Sequence, residues 1–122
     1  MDRLRLKTEE VAGVPVARLD GQVDKLGVEQ ARTQLDPLAA SGRLVIALDN
    51  VTFIDSAGLH ALFGLGHVAA ASGGRVALSV PPGSPVARVV EIVRLGDAIP
   101  VRGSVEDAAL ALAEVSTFDG GG

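Results

Sequence analysis

Asp55 and Ser56 stand side by side where the apolar run Leu44-Val-Ile-Ala-Leu48 gives way, through Asp-Asn-Val-Thr-Phe-Ile, to a helical pattern. A carboxylate next to a hydroxyl could serve nucleophilic chemistry. His60, four residues after Ser56, shares its helix face, so a serine hydrolase is one reading. Against it, GxSxG is missing, and a serine that caps a helix turns its hydroxyl to the backbone. His60 and His67 are seven residues apart, about 10 Å along a helix, too far to share one metal ion. Asp and Ser are also favoured N-caps, so the pair has a plain structural reading as well.

Three further features bear on the pair. Gly58 falls in the first helical turn, where alanine would be better by about 1 kcal/mol, which implies that something approaches the backbone closely. Asp24, in Gly21-Gln-Val-Asp24, occupies a strand-to-helix junction and could meet Asp55 at one end of a sheet. Gly64 and Gly66 weaken the same helix, which packing or a partner would have to offset.

The elements that must position these residues can be read from periodicity. Arg3 to Lys7 alternates charge with leucine, and Val11 to Leu19 is a second extended run, which together predict an N-terminal hairpin with Pro15 at a strand start or edge. Residues 27–41 place Val28, Ala31, Leu35 and Leu38 at helical spacing, with Pro37 predicting a kink or break. The unalternated run within 43–55 predicts a strand buried on both faces at the sheet centre. A helix from Ser56 to the Ser72-Gly73-Gly74 stop follows, then the strand Arg75 to Val80. Ser84-Pro85 opens a third helix with Val86, Val89, Val90 and Val93 inward and Gly96 as its stop. A short strand at 99–102 and a helix capped by Ser104 complete the order β-β-α-β-α-β-α-β-α. Right-handed crossovers make the later strands parallel.

Composition narrows the function classes. The 122 residues make one domain, here 1–116 with a disordered tail at 117–122. The 11 basic residues are scattered among 15 acidic ones and only three aromatics occur, all Phe, which argues against nucleic acid. With no cysteine there is no disulfide framework or thiolate metal site. GxxxxGK[ST] is absent and Gly64-x-Gly66 lies inside a helix, so neither phosphate-binding fingerprint is present. No apolar run is long enough to span a bilayer, which predicts a cytoplasmic protein without membrane insertion.

Gly21-Gln-Val-Asp24, the buried strand, and Phe53-Ile-Asp-Ser-Ala-Gly-Leu59 resemble STAS domains of the bacterial anti-sigma-factor antagonist family, the likeness extending from residue 3 to about 115. The resemblance implies an α/β, STAS-like single domain: a mixed β-sheet with an N-terminal hairpin and about four packed helices. It implies a non-enzymatic partner switch without cofactor or metal, a monomer or weak homodimer. In such a switch the serine after the aspartate, here Ser56, is phosphorylated by an anti-sigma factor that is itself a serine kinase. The unphosphorylated antagonist binds that kinase and frees the sigma factor, and a phosphoserine phosphatase resets it. The implied partner-binding residues are Asp24, Asp55, Ser56, Ala57, Gly58 and Leu59. Ala57 departs from the Ser or Thr often found there and removes a competing hydroxyl. Phosphorylation is expected to leave the fold intact and change the surface. Related domains also serve as subunits of ABC lipid transporters and as stress-signalling scaffolds, so those roles, with the more remote hydrolase, stay open.

Overall fold

The computed structural model describes residues 4–112. Five strands, β1 (Arg5–Val11), β2 (Val14–Val23), β3 (Arg43–Ile54), β4 (Arg75–Ser79) and β5 (Val101–Arg102), form one sheet in sequential order. β1 and β2 are antiparallel, and every later pairing is parallel. The helices are α1 (Lys25–Ala40), α2 (Ser56–Ala71), α3 (Pro85–Ile92) and α4, which occupies described residues 105–112; a 3-10 turn (Leu95–Asp97) precedes β5. This is the mixed sheet, hairpin and helix order that the pattern predicts, with β3 at the centre.

The hairpin turns on Ala12 and Gly13, both at positive φ (52° and 77°), a turn whose twist matches that of the flanking strands. β3 is buried on both faces because alternate side chains meet different helices. Leu44, Ile46 and Leu48 pack with Val28, Leu35, Leu62, Leu65, Val86 and Val90 of α1 to α3. Val45 and Ala47 join Val14, Val16 and Ala77 against Val105, Ala108, Ala109 and Leu112 of α4. Three helices thus cover one face and one covers the other. At the end of β4 the fully buried Ser79 hydroxyl donates to Asp49 Oδ1 at 2.9 Å.

The structure corrects three local expectations. α1 starts at Lys25, not at residue 27, because Asp24 caps it. It also runs unbroken through Pro37 to Ala40. Pro37 lies in the last turn, where its missing N–H deprives only the carbonyl of exposed Thr33, and its own carbonyl accepts from Ser41 N at 3.1 Å. α3 ends at Ile92, well before Gly96, with Arg94 taking the left-handed conformation (φ 57°). Val93 is consequently 40% exposed and not part of the buried stripe. The Ser104 cap holds, accepting from Asp107 N at 3.1 Å, while the expected continuation to Val115 and the tail at 117–122 lie outside the described residues.

Candidate functional site

Parallel pairing brings two strand ends to the same edge of the sheet. Val23 of β2 is in register with Ile54 of β3, and Asp55 N donates to the Val23 carbonyl at 3.3 Å. Asp24 and Asp55 are therefore equivalent residues, each the first past its strand. Both are extended (φ −109° and −106°), and each carboxylate accepts from the N–H three residues on, Gly27 N and Gly58 N, at 2.8 Å. The chain repeats one device, Asp-x-x-Gly, at the start of α1 and α2. The two aspartates meet at one end of the sheet, each satisfying a free N–H of its own helix.

This assignment changes the reading of the Asp55-Ser56 pair, because Asp55 alone does the capping. Ser56 is the first helical residue, exposed, and its hydroxyl makes no hydrogen bond within the described residues. Its oxygen is therefore not turned back onto the backbone. Neither helix has an acidic residue in its first turn, so the positive ends of both are neutralised only by the cap carboxylates.

The glycine signal has an internal cause. A Cβ on Gly58 would overlap the Val23 carbonyl and stand 2.8 Å from Val23 Cγ1 and 3.0 Å from Ile54 Cγ1, so α2 rests directly on the end of β2. Gly58 and Leu59 are buried, Leu59 within the main core. They set where Ser56 sits. Ala57 is half-buried.

Ser56 opens onto a cleft of about 360 Å³ between α1 and α2, lined by Lys25, Val28, Glu29, Arg32, Ala57, His60 and Ala61. Arg32 lies along this cleft, paired with Asp36 at 3.2 Å and passing 3.7 Å from where a Gly64 Cβ would be. Ser56 and His60 share the cleft as their spacing requires, yet no hydrogen bond joins them and no carboxylate orients His60 among the described residues. His67 lines a separate cavity of about 220 Å³ with Phe63, Gly66 and Ile99. Among the described residues no group of three or more acidic, His or Cys side chains could hold a metal ion, and no helix is long and apolar enough to cross a membrane.

Two outward features escaped the sequence pattern. Lys25 and Leu26, the latter 66% exposed, form the first turn of α1 beside the site. Placing the helix start at residue 27 leaves them in a loop. The signal that finds them is the Asp-x-x-Gly repeat, since a cap at Asp24 dictates a helix from Lys25. Phe53, 48% exposed, is the neighbour of inward-facing Ile54 and so stands on the other face of the sheet.

Comparison with known proteins agrees with this architecture. The STAS domain family model matches residues 5–108. The anti-sigma F factor antagonist of Paenibacillus polymyxa is 29% identical over 117 residues, covering 93% of this chain and 98% of its own length. The crystal structure of an anti-sigma factor antagonist from Mycobacterium paratuberculosis superposes with a TM-score of 0.76 at 23% identity, covering 92% of this chain and 96% of that one. The cell fate determinant SpoIIAA of Bacillus, solved in its phosphorylated form, gives 0.61 at 24% identity, covering 88% and 97%. Both solved structures share the fold, and with the family match over nearly the whole described chain they lead to one conclusion: this protein belongs to the STAS domain family.

Proposed function

We propose that this protein is an anti-sigma-factor antagonist that binds an anti-sigma serine kinase when unphosphorylated and is switched off by phosphorylation at Ser56. It acts by binding, without turnover of its own, and a phosphoserine phosphatase restores the binding form. The observation that carries this reading is the exposed Ser56 hydroxyl, released from capping by Asp55 and presented on the first turn of α2. The description of the Paenibacillus relative as an anti-sigma factor antagonist supports the partner class.

In the switching step Ser56 Oγ forms a bond to the γ-phosphorus of ATP as the bond to the ADP oxygen breaks, and the hydroxyl proton leaves to a base of the kinase. The product adds a charge of about −1.5 to −2 at pH 7. It displaces no internal contact, since Ser56 is exposed and its hydroxyl is not hydrogen-bonded, so the fold is retained. What changes is the outer surface. An interface closed over a neutral serine would have to take in and desolvate that added charge, which costs several kcal/mol.

The test uses Ser56→Ala and Ser56→Glu proteins as paired baits in lysate of the source organism, with mass spectrometry of what each retains. An anti-sigma kinase held by the Ala bait and lost from the Glu bait is the expected result. Equal retention of transporter or scaffold subunits by both would overturn the switch and assign the protein to another STAS role.

A further inference from the structure

The α1–α2 cleft brings basic side chains to Ser56. Lys25, Arg32 and His60 line it together with Ser56, while Glu29 supplies its carboxylate. Arg32 is committed to Asp36 at 3.2 Å. Lys25 and His60 have no carboxylate partner among the described residues, and both are exposed. His60 is one helical turn beyond Ser56, with side chains about 5–6 Å apart at Cβ. Lys25 is the counterpart of Ser56 in the neighbouring strand–helix unit: each is the first residue of its helix, two past the register pair Val23 and Ile54. Packed helix axes are about 8–10 Å apart, a gap that a four-carbon lysine stem can cross.

We infer that Lys25 and His60 form a clamp for a phosphate carried on Ser56, drawing it into the α1–α2 cleft. The inference rests on Ser56 being the phosphorylated residue and adds the groups that receive the charge. Asp24 and Asp55 would repel such a phosphate, but each already accepts a backbone N–H at 2.8 Å and belongs to its own helix end. Lys25 offers up to three N–H donors and a full charge, and His60 offers an N–H donor in either protonation state and a charge when protonated. Glu29 opposes them from the α1 side as the remaining carboxylate of the cleft. Filling the clamp would tie the first turns of α1 and α2 together through the phosphate, so the modified site differs from the unmodified one in shape as well as charge.

The test installs phosphoserine at position 56 of the full chain during synthesis and follows the second ionisation of the phosphate by ³¹P NMR against pH. A neighbouring cation favours the dianion and lowers the midpoint, so removing it raises the midpoint. Lys25→Gln and His60→Gln should each raise it by about a quarter of a pH unit. Glu29→Gln should lower it, and His67→Gln, seven residues beyond His60 on α2, should leave it in place. Identical midpoints in the parent, Lys25→Gln and His60→Gln proteins would overturn the clamp. Because the phosphate is installed without a kinase, this result is independent of the bait experiment: a clamp that forms while no kinase is captured would sink the partner switch and spare the clamp.

Discussion

Gly58→Ala and Gly64→Ala are the same chemical change on the same helix, and the structure assigns them opposite signs. At an open helical site alanine stabilises by about 0.5–1 kcal/mol over glycine. A Cβ at Gly64 would meet only the Arg32 guanidinium, at 3.7–3.9 Å, which is ordinary contact with the end of a flexible side chain. A Cβ at Gly58 would collide with the Val23 carbonyl, a backbone atom that anchors Asp55 N in the β2–β3 ladder. Overpacking of that kind costs about 1–3 kcal/mol, and the rigid backbone places this site at the upper end, leaving a net loss of about 2 kcal/mol after the helical gain. Unfolding entropy of about 2.1 cal/mol/K per residue gives roughly 0.26 kcal/mol/K for 122 residues. The expected shifts are therefore a fall of about 8 °C for Gly58→Ala and a rise of about 2–4 °C for Gly64→Ala. Thermal unfolding followed by far-UV circular dichroism reads both in one experiment. A Gly58→Ala protein as stable as the parent would refute the claim that α2 rests on the end of β2.

Two further outcomes follow from the capping and the buried polar pair. Asp55→Ala should lose about 1 kcal/mol by leaving Gly58 N–H without its acceptor, whereas Asp55→Asn, which caps equally well, should stay near the parent in urea unfolding. Ser79→Ala should cost about 1 kcal/mol by the same assay, the modest value of a single hydrogen bond, because the Asp49 carboxylate is on an exposed residue and can turn to water.

The elements were legible in the sequence where local chemistry and burial agree. The unalternated Leu44 to Leu48 run sits at the sheet centre because both its faces are covered, and Ser84-Pro85 and Ser104 mark helix starts that the structure keeps. The boundaries that moved were set by context. Pro37 signals a break only if its missing N–H matters, and in a last turn it does not. Gly58 was correctly read as a site of close approach, but the approaching group is Val23, distant in sequence and adjacent only through strand register. The division of labour between Asp55 and Ser56 was equally hidden, since both are good caps and only the extended backbone of Asp55 decides which one serves. The α1–α2 cleft required the two strand ends to be aligned, which no local pattern records.

The uneven covering of the sheet has a consequence for how the chain acquires its shape as it is made. The face carrying Val14, Val16, Val45 and Ala47 is closed by side chains between Val105 and Leu112, so its partners are separated by about 60 to 100 positions along the chain. A ribosome delivers the hairpin, α1, β3 and α2 long before α4 emerges. The half of the domain bearing Ser56 can thus assemble around its own three-helix face, while the opposite face waits for the last helix. Contacts so remote in sequence close late and slowly. During synthesis that second face stays uncovered until α4 emerges, leaving a band of valine and alanine without its partner helix.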